Sequence, residues 1–106
     1  MNRRNKYGAV RTEVDGVVFA SRAEARHYDR LKILERAGEI TDLELQPRFD
    51  LHVNGVNVGF YKADFRFVDR DGQTVVQDVK GVRTPVYRLK KKMVKAEYGI
   101  DIQEVR

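Results

Sequence analysis

Hydrophobic positions along this chain recur with a period of two in some stretches and near 3.6 in others, and the order of those stretches outlines a fold. Ala9 to Thr12 and Val17 to Phe19 read as short strands around Val14-Asp15-Gly16. From Arg22 the apolar positions Tyr28, Leu31 and Leu34 recur at helical spacing in line with Glu24, until Gly38 ends the helix. Ile40 to Asp50 reads as a strand interrupted near Pro47, and Leu51 to Phe60 as a hairpin with its tip at Asn54-Gly55. Tyr61 to Phe67 carries aromatics at alternate positions, which predicts a strand with Asp64 on the face opposite Ala63 and Phe65. The Asp-Gly of Asp69-Arg70-Asp71-Gly72-Gln73 then turns the chain into the apolar run Thr74 to Val79, so the two runs are expected as antiparallel neighbours. Thr84 caps a second helix with Pro85 in its first position; it runs to Tyr98 and stops at Gly99, and Ile100 to Val105 forms a last strand. The order predicts an α/β protein with a mixed β-sheet flanked by helices.

Length narrows this to one domain over residues 9–106, because 106 residues bury one modest core, with the basic residues 1–8 expected to be mobile. Cysteine is absent, which excludes a disulfide framework and any thiolate zinc site. With no apolar stretch long enough for a signal peptide or a membrane span, a cytoplasmic setting is expected. There is also no Gly-rich phosphate loop and no Ser-His-Asp order, which removes nucleotide hydrolysis and acyl transfer from the field. The formal net charge is +5, and its placement is more telling than its size. Arg3, Arg4, Lys6 and Arg11 crowd the amino end; Lys80, Arg83, Arg88, Lys90, Lys91, Lys92 and Lys95 follow the Thr74–Val79 run; acids dominate the middle.

The candidate chemistry lies in Asp78-Val79-Lys80. Alternation along a strand brings the carboxylate and the ammonium out on one face, about 7 Å apart along the backbone. Such a pair suits phosphodiester hydrolysis, with the acid holding a divalent cation and the lysine acting on water or on phosphate charge. Asp64 in mid-strand needs a cation, a metal or several donors beside it, and the hairpin brings it towards Asp78. Two adjacent carboxylates repel unless something positive lies between them. Mg2+ fits, and so does a purely structural cluster neutralised by Lys62, Arg66 or Lys80. Ser21-Arg22-Ala23-Glu24 has the spacing of a capping box, which gives Glu24 a structural role, while its place in the apolar stripe turns it towards the sheet as a third acid.

Taken together, Glu24 on a first helix, Asp64 on one strand and Asp78-Val79-Lys80 on the next resemble the PD-(D/E)XK nuclease superfamily. Val14 to Ala25, Leu45-Gln46-Pro47-Arg48-Phe49, Ala63-Asp64-Phe65 and Asp78-Val79-Lys80-Gly81 resemble more closely its small phage-encoded endonuclease-like proteins, which are similar in plan to Holliday-junction resolvases. Ala63 stands where the superfamily name has proline. The resemblance covers nearly the whole chain and implies a restriction-endonuclease-like core and an Mg2+- or Mn2+-dependent DNA endonuclease, acting in the host cytoplasm if phage-encoded. It implies Asp64 and Asp78 as metal ligands, Glu24 completing the site, and Lys80 acting on water or phosphate. In-line attack would leave a 5′-phosphate and a 3′-hydroxyl. By analogy the substrate is branched or junction DNA, and a pair of subunits would serve symmetric cutting.

The second helix carries the expected DNA track. Arg88, Lys91, Lys92 and Lys95 lie at helical spacing opposite an apolar stripe of Val86, Leu89, Met93 and Ala96 that is expected to be core, with Tyr87 at the border and assigned to the core. Arg3 and Arg4 are further candidates for DNA contact. Gln46 resembles the polar strand residue that some nucleases of the superfamily place near their metals. His27 and His52 show no ligand spacing and read as surface or satisfied polar residues, and Gly81 as the point where the chain turns. Two alternatives remain: a nucleic-acid-binding module that keeps the fold without cleavage, and a small protein whose charges only solubilise it.

Overall fold

The computed structural model describes residues 10–80 and 82–106, and its elements follow the expected order. Strands β1 (Thr12–Val14) and β2 (Val17–Phe19) form a hairpin whose turn residues Asp15 and Gly16 both have positive φ, 53° and 78°. That conformation is what a two-residue hairpin turn requires. Ala9, and with it residues 1–8, lies outside the described residues. Helix α1 (Arg22–Arg36) begins at Ser21, whose Oγ accepts the Glu24 amide at 3.1 Å, and buries Glu24, Ala25, His27, Tyr28 and Leu31. Leu34, expected to continue this stripe, is exposed; Ile40, which arrives through the turn after the helix, packs into the cluster with Leu31 instead.

Strands β3 (Thr41–Leu45), β6 (Phe65–Val68), β7 (Thr74–Val79) and β8 (Gln103–Val105) form a sheet in the order β3-β6-β7-β8. The first three are mutually antiparallel, and β8 joins β7 in parallel after the crossover through α2 (Pro85–Tyr98), so the sheet is mixed. Strands β4 (Arg48–Val53) and β5 (Val56–Lys62) form a hairpin closed by Asn54-Gly55. This hairpin prolongs β3 and β6 through a bend at Gln46-Pro47 and Ala63-Asp64. Pairing persists across the bend, since the Gln46 amide donates to the Asp64 carbonyl (2.9 Å) and the Ala63 amide to the Pro47 carbonyl (3.0 Å).

The bend overturns the single alternating strand expected from Tyr61 to Phe67. In an unbroken strand Tyr61, Ala63, Phe65 and Phe67 would share one face. Instead Tyr61 and Ala63 pack with Tyr87 and Val94 of α2, while Phe65 and Phe67 pack with Ala25, Tyr28 and Leu31 of α1. Asp64 stands at the changeover between the two faces. Along β7, Val75 and Val79 join the α1 cluster and Val76 the α2 cluster, so this strand is covered on both sides.

The second helix is rotated from its expected setting. Val86 and Leu89 are 62 % and 58 % exposed and Ala96 is exposed, whereas Tyr87 and Val94 are buried and Met93 packs partly against them. The rotation carries the Tyr87 hydroxyl and the Lys91 ammonium to Glu104 of β8, at 2.8 and 3.2 Å. The face presented to the sheet thus combines apolar packing with polar contacts to Glu104, and differs from the one that spacing assigns. Val94→Ala should therefore lower unfolding free energy by about 2 kcal/mol in urea titration, and Leu89→Ala by less than about 0.5 kcal/mol. The reverse order would restore the stripe read from spacing.

Candidate active site

Each acid reaches its place for a local reason. β7 carries Asp78 on the same face as Val76, one position from its C-terminal end, and Lys80 follows on that face. Asp64 sits opposite, where the bend interrupts the neighbouring strand. The two are tied through each other's backbone: the Asp64 amide donates to Asp78 Oδ1 at 3.0 Å, and the Val79 amide donates to Asp64 Oδ2 at 2.7 Å. Charge-assisted bonds to backbone amides are among the stronger ones available to a carboxylate. Glu24 approaches from the first turn of α1. Its amide is taken by the Ser21 cap, while its carboxyl is buried and feels the Asp64 charge, so the residue stands at both the helix start and the acid cluster. The structure thus brings Glu24, Asp64, Asp78 and Lys80 to one end of the sheet.

Burial dominates their electrostatics. Glu24 has its carboxyl pushed up to about 7, by burial first and then by the Asp64 charge; Asp78 is pushed up to about 6, by burial against the opposing pull of Lys80. Asp64 is raised as well by burial, held back by the Val79 amide and then by Lys80. Glu24 and Asp64 thus lie close enough for the Asp64 charge to oppose ionisation of Glu24, which is how two carboxyls share a site without a cation. The Lys80 ammonium stands 3.8 Å from Asp78 Oδ2, and that oxygen is buried with no hydrogen-bond partner among the described residues. Beside the acids a cleft of about 270 Å³ is lined by Ala23, Val79, Lys80 and Arg106.

The donor set is chemically suited to a hard divalent cation: three carboxyls, one with an orphaned buried oxygen, in a place where their ionisation is opposed. As the side chains stand, Asp64 Oδ2 and Asp78 Oδ1 are engaged by amides, and among the described residues no group of three His, Cys, Asp or Glu side chains is arranged as a ready metal cage. A cation would take Asp78 Oδ2, the Asp64 carboxylate and, with its ionisation favoured by the positive charge, Glu24.

Other candidates fall around this cluster. Gln46 has positive φ (53°) and gives its amide to the Asp64 carbonyl, but its side chain is exposed, so its tie to the site is through the backbone. His52 is exposed and bonded to Glu97 at 2.7 Å, as a satisfied polar residue should be. His27 is neither surface nor satisfied, contrary to the sequence reading. It is buried with Nε2 2.6 Å from Gln77 Oε1, and its Nδ1 lacks a partner among the described residues. It lies one turn beyond Glu24 on the buried side of α1, which is why the same spacing that flagged Glu24 also covers it. Arg3, Arg4 and Gly81 lie outside the described residues.

The basic residues of α2 line a groove of about 500 Å³ with Arg83, Arg88, Lys91, Lys92, Lys95, Asp101 and Glu104 among its walls. Three of its cations are already paired: Arg83 with Glu104 (2.7 Å), Lys91 with Glu104 (3.2 Å) and Lys95 with Asp101 (2.9 Å). Glu104 was missed in the sequence. It neighbours Asp78 in the β7–β8 register and binds Tyr87 as well, and only that register, which no local pattern fixes, reveals it.

A mixed α/β protein with an acid and lysine cluster at one sheet end is what these elements define. The chain belongs to the family described as Protein of unknown function (DUF1064), whose model matches residues 4–105. No curated protein and no solved structure matches it. No helix among the described residues is long and apolar enough to cross a membrane.

Raised carboxyl pKa values have a signed consequence. A carboxyl whose folded value lies above its unfolded one holds more protons when folded, so stability falls as pH rises between the two, from 4.5 to about 7 for Glu24 and from 3.8 to about 6 for Asp78. In EDTA the melting temperature should decline between about pH 4 and about pH 7, and Glu24→Gln or Asp78→Asn should flatten that decline, gaining on the order of 3 kcal/mol at the upper end. Variants with the parent's pH profile would show that these acids are not held against their ionisation.

Proposed function

We propose that this chain is a metal-dependent DNA endonuclease of the PD-(D/E)XK type, with a restriction-endonuclease-like core. The observation that carries the reading is the convergence of Glu24, Asp64, Asp78 and Lys80, from three separate elements, on one sheet end where burial resists carboxylate ionisation. Bound there, Mg2+ or Mn2+ would supply an activated water and neutralise charge on the scissile phosphate. Asp64 and Asp78 would hold the ion, with Glu24, once ionised, completing the set. Lys80, a quarter exposed beside the cleft, faces the phosphate or its attacking water. The groove along α2 receives the backbone of the same duplex, with Arg88 and Lys92 meeting phosphates and Lys91 and Lys95 exchanging their acidic partners for them. Branched or junction DNA is the substrate, cut by a pair of subunits in the cytoplasm.

One observation favours a second reading, a module that binds nucleic acid without cutting it: the engagement of Asp64 and Asp78 by backbone amides in place of a ready cage. Incubation of supercoiled plasmid and a synthetic four-way junction with Mg2+, Mn2+ or EDTA separates the two. Metal-dependent nicking should fall by at least about a hundredfold in Asp64→Asn, Asp78→Asn and Glu24→Gln, since each removes a ligand charge. Retention on DNA with no cleavage in any metal would leave the binding module standing.

Salt dependence tests the groove. Replacing Arg88 and Lys92 together with Ala should weaken binding to unrelated sequences and reduce the logarithmic salt slope by roughly one per lost phosphate contact. A slope equal to the parent's would make the groove a solvated face.

A further inference from the structure

The Lys80 ammonium has an acceptor within reach and does not close on it. Asp78 Oδ2 is buried without a hydrogen-bond partner among the described residues, yet Nζ stays 3.8 Å away, beyond hydrogen-bond range, on a side chain flexible enough to shorten the gap. Beside it lies Tyr87, whose ring centroid is 4.3 Å from Nζ, well inside the range of a cation–π contact. That ring is buried and held at several points. The Tyr87 amide is capped by Thr84 Oγ1 (3.1 Å), the ring packs tilted against that of Tyr61 with centroids 6.1 Å apart, and its hydroxyl donates to Glu104 Oε2 (2.8 Å). Glu104 is fixed in turn by Arg83 and Lys91. Burial, and then the bond to Glu104, push the Tyr87 hydroxyl above its ordinary value, so it remains a donor.

We propose that Tyr87 is a positioning residue for Lys80: its ring holds the ammonium beside Asp78 but off the carboxylate, leaving Lys80 free for an anionic oxygen of the substrate and Asp78 Oδ2 free for a cation. A lysine that closed on Asp78 would neutralise that acid and withdraw its own charge from the cleft. The placement stands on the distances above, whereas its catalytic consequence rests on the nuclease reading.

The test uses the full chain, isotopically labelled and metal-free, and then the same preparations in cleavage assays with Mn2+ and supercoiled plasmid. In the parent, the Lys80 ε-methylene protons should be shifted upfield by the ring current and show cross-relaxation to the Tyr87 ring protons. Absence of both overturns the placement without reference to any variant. Tyr87→Phe keeps the ring and should keep the upfield shift, with kcat within about threefold of the parent; Tyr87→Leu should lose the shift and about tenfold in kcat at unchanged KM. Melting curves exclude simple unfolding as the cause. If Tyr87→Leu is folded and cuts at the parent rate while Lys80→Ala is inactive, the nuclease reading survives and the positioning role does not. If the parent never cuts, the nuclease reading falls, and the proton spectra still decide where Lys80 is held.

Discussion

The reciprocal bonds between Asp64 and Asp78 are the constraint on which the site depends. Each carboxylate accepts a backbone amide from the other strand, one from Asp64 and one from Val79, and this is possible only because the chain bends at Ala63-Asp64. In a regular ladder those amides and side chains would be directed along fixed, alternating lines. The bend frees Asp64 from that alternation and turns its side chain across the end of β7. It also divides the core, sending Tyr61 and Ala63 to the α2 side and Phe65 and Phe67 to the α1 side. A single backbone irregularity therefore sets both the packing of the two helices and the meeting of the acids.

The bend also accounts for what could be read in advance. Turn chemistry is local, and Asn54-Gly55, Asp15-Gly16, Thr84-Pro85 and Gly99 marked their elements correctly because each depends on residues within a few positions. The grouping of Asp64, Asp78 and Lys80 was legible because hairpin topology and strand alternation bring them together even when the details are wrong; Glu24 entered through its place in the helix stripe and the family resemblance. The face of Asp64 was not legible. Only the pairing of Gln46 and Pro47 with Ala63 and Asp64 fixes it, and that pairing joins residues some seventeen positions apart.

The same distinction explains α2. Val86, Leu89, Met93 and Ala96 form a convincing apolar stripe by spacing, but the helix presents Tyr87 and Val94 to the sheet and leaves Val86 and Leu89 in solvent. Hydropathy counts apolar area, whereas the setting of this helix also has to satisfy Glu104, a half-buried acid on β8 whose partners are Tyr87, Lys91 and Arg83. A carboxylate taken from water needs those donors more than Val86 and Leu89 need burial at a margin of about 25 cal/mol per Å². The rotation places basic side chains in a groove and an aromatic ring under Lys80.

Charge is distributed so that the two halves of the molecule stay in balance without a ligand. Acids that resist ionisation lie together at one end of the sheet, where burial raises Glu24 and Asp64 and the Asp64 charge raises Glu24 further; cations that would repel one another along α2 are tethered to Glu104 and Asp101. Both arrangements are compensations for a surplus of one sign in a small space. In the proposed reading a divalent cation would relieve the first and a phosphate backbone the second. Glu104 pairs with Lys91, neighbours Asp78 in the β7–β8 register and adds its charge to the field there, so the groove and the acid cluster are linked through one side chain.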